Sequence, residues 1–151
     1  MASSMEVVGL ILAGGSGSRL SPFTNFTHKT LLPIYDNPVI DYALSTMRKA
    51  GIRDITIVAN NHIVQISEHV GEGLEGERIR YVLEDRPQGV LYALQLARSW
   101  VEGKRVLVYF SDNITNWDFA QDVKDFCSSV DPPGSILLVR EVEDPAAFGV
   151  C

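Results

Sequence analysis

Leu10-Ile11-Leu12-Ala13-Gly14-Gly15-Ser16-Gly17-Ser18-Arg19-Leu20 decides how the rest of the chain is read. The apolar run that leads into it, Val7 to Ala13, is short, β-branched at several positions and cut off by glycine, which predicts a buried strand. Gly14, Gly15 and Gly17 carry no Cβ, so the chain can turn sharply there and bring several backbone N–H groups towards one anion. Arg19 adds a planar, permanently charged fork that suits phosphate oxygens. A strand that runs into a glycine loop with its own arginine is a place to hold a nucleoside triphosphate. An ordinary tight turn between strand and helix is the plainer alternative.

Two familiar phosphate loops fail on this stretch. The dinucleotide fingerprint G-x-G-x-x-G started at Gly15 needs a third glycine where Leu20 stands. The Walker A pattern started at Gly14 needs a glycine where Arg19 stands. A dinucleotide-binding Rossmann domain also lacks its ribose anchor here, because the second strand ends in Ala59-Asn60-Asn61 without an acid.

Outward from the loop, strand and helix patterns alternate, which predicts an α/β protein with a largely parallel sheet. Pro22 to His28 is polar and irregular. Asn37 and Pro38 read as a helix start, with Asn37 as the cap. Ile40, Leu44 and Met47 fall on one helical face with Ala43 beside them, and Gly51 ends the helix. Ile55 to Val58 is the second strand, Ile63 to Val70 a helix, and Arg78 to Leu83 the third strand. Val90 to Val101 reads as one helix that buries Leu91, Leu94 and Val101. Val106 to Phe110 is a fourth buried strand, Phe119 to Val130 a helix, and Ser135 to Val142 a further strand after Pro132-Pro133-Gly134.

Ligands of open parallel sheets bind beyond the carboxyl ends of the strands. The glycine loop, the Glu84–Gly89 turn and Asp112-Asn113 each follow a predicted strand, so the three are expected along one edge. His28, His62 and His69 have no metal-like company and read as surface or loop residues. Trp100 and Trp117 read as helix-packing residues.

The totals bound the rest. A chain of 151 residues is one domain by length, and its 46% hydrophobic and 21% charged residues are ordinary for a globular protein. A net charge of −6 argues against a broad nucleic-acid or anionic-membrane surface. Cys127 and Cys151 match no metal spacing and do not suggest a disulfide framework. No apolar run approaches the ~20 residues a membrane helix needs, and the cytoplasm is the expected location.

Lys29-Thr30-Leu31-Leu32-Pro33 changes the weight of the glycine loop. Leu-Ala-Gly-Gly-x-Gly-Ser-Arg-Leu followed by Lys-x-Leu-Leu-Pro resembles the sugar-1-phosphate nucleotidyltransferases, and among them most resembles the glucose-1-phosphate thymidylyltransferases. The similarity continues through Ile34-Tyr35-Asp36-Asn37-Pro38, Ala50-Gly51-Ile52-Arg53-Asp54, Ser111-Asp112-Asn113-Ile114, Glu143-Asp144-Pro145 and Phe148-Gly149-Val150. It therefore spans nearly the whole chain.

The resemblance implies a Rossmann-like three-layer sandwich of the nucleotide-diphospho-sugar transferase type. Members of the family are longer, so residues 1–151 are expected to be the nucleotide-binding N-terminal part, truncated before most sugar-binding groups and inactive alone, or else a naturally short relative. The implied reaction is attack of a sugar-1-phosphate, such as glucose-1-phosphate, on the α-phosphorus of dTTP or UTP, with release of pyrophosphate and formation of a nucleotide sugar. Transfers of this kind need positioning and charge neutralisation more than covalent help.

On that reading Arg19 and Lys29 are the catalytic cations. The nucleotide lies against Leu12, Ala13, Gly14, Gly15, Ser16, Gly17, Ser18, Arg19, Lys29, Glu84, Gly89 and Asp112. Asp112 is the Mg²⁺ ligand, with a second acidic ligand expected beyond Cys151; a turn aspartate that caps the Asn116-Trp117 region is its plainer reading. Phe148 and Gly149 match an aromatic-glycine pair at the sugar, or Phe148 is a core residue. Three positions depart from the pattern. Glu84 stands where the thymidylyltransferases usually have glutamine, Tyr92 replaces a nearby glutamine, and Ser111 replaces a glycine.

A carboxylate only accepts hydrogen bonds, so Glu84 suits a base edge rich in N–H donors and matches thymine poorly. A non-catalytic nucleotide-binding or subunit-assembly module derived from the family is the alternative to an enzyme. A homo-oligomer stays open, since an exposed edge strand invites a second chain.

Overall fold

The computed structural model describes residues 6–129, 134–139 and 141–144. In chain order its elements are β1 (Val7–Ala13), β2 (Pro33–Ile34), β3 (Asn37–Pro38), α1 (Val39–Lys49), β4 (Asp54–Ala59), α2 (Ile63–Val70), β5 (Arg78–Leu83), α3 (Val90–Leu96), α4 (Arg98–Val101), β6 (Arg105–Phe110) and α5 (Ala120–Ser128). Between β1 and β2 the chain makes short 3-10 turns at Ser18–Leu20, Phe23–Asn25 and Lys29–Leu31.

Side chains alternate across a strand, and β1 is apolar on both sides, so it needs cover on both faces. It takes the interior of a parallel sheet ordered β5-β4-β1-β6. Ile11 stands level with Ile57 and Tyr109, and Leu12 with Val58 and Phe110. Parallel neighbours need crossovers, which α1, α2 and the α3–α4 pair supply.

One face of the sheet packs Ile11, Ala13, Ile55, Ile57 and Ala59 on Ile40, Ala43, Leu44 and Met47 of α1, Ile66 of α2 and Phe119 before α5. The other packs Leu10, Leu12 and Val58 on Ala93 and Ala97. The result is a three-layer α/β fold with a parallel central sheet. Each fully buried leucine or isoleucine here contributes about 1.5–3 kcal/mol, an upper range for real unfolded chains.

Several expectations yield to tertiary context. Asn37 does not cap α1: it pairs with Ile34 in the small β2–β3 ladder, Tyr35 turns the hairpin at φ 53°, and Pro38 takes the cap position. The helix expected over Val90 to Val101 breaks at Ala97 into α3 and α4. Ala93 and Ala97 face the sheet, which turns Leu91 outward at 70% exposure.

Among the described residues β6 is an edge strand rather than a buried one, so Val108 and Phe110 stay partly open while Tyr109 is covered. Residues 135–139 and 141–142 are irregular and Ile136 to Val139 are exposed; no described strand lies beside them to hydrogen-bond. The last helix runs Ala120–Ser128, and Val130 lies outside the described residues. Trp117 packs in no helix but donates from Nε1 to Asp122 at 2.8 Å, and the Arg80 guanidinium lies over the partly exposed Trp100 ring at 4.8 Å.

Candidate functional site

Because β1, β4, β5 and β6 run parallel, their carboxyl ends share one edge. Gly14 begins there after β1, Glu84 follows β5, and Ser111-Asp112 follow β6. The glycine loop then turns through Gly17 at φ 65°, a left-handed conformation that favours glycine, into the turn that carries Arg19. Thr24 Oγ1 braces this corner by donating to the Gly17 carbonyl at 3.0 Å.

Gly17, Ser18, Arg19, Lys29 and Asp112 line one cleft of about 490 Å³, walled on its apolar side by Leu20, Ile34 and Val39. Lys29 Nζ forms an ion pair with Asp112 Oδ2. The same ammonium passes so near Gly15 that a Cβ there would lie 3.0 Å from it. Arg19 is exposed and, among the described residues, makes no hydrogen bond or ion pair. The cleft therefore holds one unengaged guanidinium, one lysine and one half-exposed carboxylate. Asp112 makes this ion pair instead of capping the Asn116-Trp117 region; Phe119 takes the cap position of α5, and Asp118 before it accepts from the Ala120 N–H at 2.9 Å.

Lys29 is held in place by its neighbour His28, a loop residue as expected but not a surface one. His28 is 2% exposed. Its Nε2 lies 2.7 Å from the Ala13 carbonyl, which can only accept, so Nε2 carries the proton. Nδ1 then accepts from the Thr30 backbone N–H at 3.2 Å and from the Thr30 hydroxyl at 2.6 Å. Burial, with the charge of Lys29 and His62 nearby, lowers the His28 pKa to about 4 against the pull of the Ala13 hydrogen bond and Asp112. A neutral imidazole thus pins the lysine turn to the end of β1.

Gln65 on α2 secures the same turn. Its Oε1 accepts from His28 N–H at 3.1 Å, and its Nε2 donates to the Phe26 carbonyl at 2.9 Å. No pattern marks His28, Thr30 or Gln65, because each matters only through a partner distant in the chain or in the turn. His69 faces Asp41 on the surface, 2.9 Å away, and His62 is partly exposed.

On the other side of the loop Glu84 is 4% exposed, its backbone N–H bonded to the Ala59 carbonyl at 2.7 Å. Its carboxylate lies directly over Gly14, where a Cβ would overlap Oε2. It has no hydrogen-bond or ion-pair partner among the described residues. Gly89, at φ 91°, opens α3 with free space where a Cβ would point. Ser111 is 1% exposed, and its hydroxyl has no partner among the described residues. Leu12 and Ala13 are buried beneath the loop, while Gly15, Ser16 and Ser18 are exposed on it. Phe148, Gly149 and Cys151 lie outside the described residues, and Cys127 is a free thiol.

A second hollow, about 430 Å³, lies at the amino ends of β1, β4 and β5. Its charged groups already have partners: Asp54 pairs with Arg78 and Arg80, Glu77 with Arg48, and Arg53 donates to the Arg48 and Ile52 carbonyls. Arg19 and Glu84, whose charged groups have no partner among the described residues, both sit at the opposite edge.

Fold and site thus define an α/β protein whose glycine loop, cations and acids gather at the carboxyl edge of a parallel sheet. The chain belongs to the nucleotidyl transferase family, whose model matches residues 8–151. It is 37% identical over 144 residues to a glucose-1-phosphate thymidylyltransferase of Xanthomonas campestris, covering 94% of this chain and 48% of that one. It is 36% identical over 145 residues to that of Neisseria gonorrhoeae, covering 94% and 50%. The chain spans about half the length of the curated relatives it matches.

A solved Bacillus anthracis structure, described as a candidate glucose-1-phosphate thymidylyltransferase in complex with sucrose, is similar with TM-score 0.76 and 36% identity. The match covers 80% of this chain and 50% of that one. UDP-glucose pyrophosphorylase of Acinetobacter baumanii shares the fold with TM-score 0.76 at 19% identity, covering 83% and 54%. Among the described residues no helix is long and apolar enough to cross a membrane.

Proposed function

We propose that this chain is the nucleotide-binding part of a sugar-1-phosphate nucleotidyltransferase, which transfers a nucleoside monophosphate from its triphosphate to a sugar-1-phosphate and releases pyrophosphate. The observation that carries the reading is the single cleft shared by Arg19, Lys29, Asp112 and the glycine loop, in a chain of this family. The loop N–H groups and Arg19 bind the triphosphate, and Arg19 stabilises the charge that builds on departing pyrophosphate. Lys29 leaves Asp112 for the α-phosphate and aligns it for attack by the sugar-phosphate oxygen.

Asp112 fits a Mg²⁺ ligand. It offers one hard carboxylate with half its side chain in solvent. Bound there, Mg²⁺ would neutralise phosphate charge. The relatives' names make glucose-1-phosphate the first acceptor to try.

The test is pyrophosphate release from dTTP, UTP, GTP, ATP and CTP with glucose-1-phosphate, on the full open reading frame that encodes this chain. Turnover with one triphosphate, lost in Arg19→Ala while the melting temperature holds, supports the reading. Nucleotide binding without turnover from any of the five leaves a binding module and overturns catalysis.

A further inference from the structure

We propose that Glu84 makes guanine the preferred base of this site. The inference rests on the nucleotide-binding reading above. Glu84 is 96% buried by its 4% exposure, and its carboxylate has no protein partner among the described residues. Among those residues the Ser111 hydroxyl is the buried side-chain atom both sealed from solvent and unpartnered. The Glu84 oxygens, which also lack partners, therefore keep a narrow opening to solvent. A buried acceptor pair left without donors costs free energy unless a ligand supplies them.

Its aim is fixed from two sides. The Glu84 N–H is tied to the Ala59 carbonyl at 2.7 Å, and the carboxylate rests in the space that Gly14 leaves by lacking a Cβ. Gly89, at the far end of the same turn, has open space where a Cβ would point, so no side chain there blocks a base from approaching.

Two adjacent oxygens that only accept call for two adjacent N–H donors. Guanine presents them, N1–H beside the N2 amino group. Thymine and uracil offer one N3–H between two carbonyl oxygens, so a second carboxylate oxygen meets O4 or O2 in repulsion. Adenine and cytosine set one amino group beside a ring acceptor and fail likewise. A site built to bond a donor pair rejects a base that lacks one, because its own buried groups stay unpaired.

The experiment is calorimetric titration of the chain, with Mg²⁺, by GTP, ITP, dTTP and UTP, repeated on Glu84→Gln. ITP keeps N1–H and lacks the 2-amino group, so it isolates the second hydrogen bond. GTP is expected to bind at least about tenfold more tightly than dTTP and UTP, with ITP between. Glu84→Gln, which donates as well as accepts, is expected to bring dTTP or UTP to the front at an unchanged melting temperature.

Tightest binding of dTTP or UTP by the unaltered chain, equal binding of GTP and ITP, or the same order in both proteins overturns the inference and leaves the nucleotide site standing. If none of the four binds, the site reading falls and this inference with it. The order measured on the unaltered chain decides the matter even if the variant does not fold.

Discussion

Lys29 Nζ meets Asp112 Oδ2 across the cleft, closing a loop of chain in which the two residues stand 83 positions apart. Without ligand the cation and the acid neutralise each other; a triphosphate and a divalent ion would each draw away one partner. On the proposed function the pair would act as a latch, and its side chains are 17% and 50% exposed.

Asp112→Asn is therefore expected to flatten the Mg²⁺ dependence of triphosphate affinity, and Lys29→Ala to weaken affinity by about tenfold. Neither should lower stability by more than ~1 kcal/mol, because a half-exposed ion pair contributes little. Calorimetry with and without Mg²⁺, beside urea melts, separates the two effects. Unchanged Mg²⁺ dependence in Asp112→Asn removes the metal role.

His28 makes a prediction about pH. Its pKa lies at about 4 in the fold against an ordinary 6.5, so the unfolded chain takes up the proton first as pH falls. Stability is at its full value above about 6.5, declines as pH drops towards about 4 and levels below it, a loss of about 3 kcal/mol from this one residue. His28→Gln, which still donates to the Ala13 carbonyl, should be less stable at neutral pH by about 1 kcal/mol and nearly flat across that window. Urea melts from pH 7.5 to 4 read both. An equal slope in the two proteins would sink the assignment.

Much of this was readable beforehand, and the failures have a common cause. The apolar run from Val7 cut by Gly14 identified β1, because both faces of the strand are covered by the same chain. The spacing of Ile40, Ala43, Leu44 and Met47 identified the buried face of α1, since it depends on a local period. The glycine loop, the Glu84–Gly89 turn and Asp112-Asn113 are expected at one edge because the carboxyl ends of parallel strands share it. What stayed hidden depends on partners far along the chain. His28 is buried because the Ala13 carbonyl waits for it, and Asn37 is drawn from the helix cap by Ile34. β6 reads as buried until its edge position is known.

Asp54 predicts a separate acid response at the far edge of the sheet. Burial alone would raise its pKa, but the Arg80 hydrogen bond and the charges of Arg80, Arg78 and Lys104 hold it below the ordinary carboxylate value. The stability it contributes is present above about pH 4 and is lost only as pH falls through its depressed value. That window lies below the one for His28. Asp54→Asn should cost about 1–3 kcal/mol at pH 7 and leave triphosphate affinity unchanged, since the paired arginines are far from the glycine loop. A variant that loses nucleotide binding while it remains folded would show the two edges to be coupled.

Gly14 and Glu84 give a prediction with an internal control. A methyl group at Gly14 would overlap Glu84 Oε2, the flexible end of a side chain, so Gly14→Ala is expected to fold and to push the carboxylate aside. Triphosphate affinity should then fall by about tenfold or more, because the displaced acid fills space meant for the base and no longer aims at it. Glu84→Ala alone should cost less, since it leaves the space open. In the double variant the alanine at position 14 has nothing to strike, so the combined loss should be smaller than the sum of the single losses. Calorimetric titration of the four proteins measures that difference. Strictly additive losses would mean that Gly14 serves only the turn of the loop and that the Glu84 carboxylate has no part in how the site is shaped.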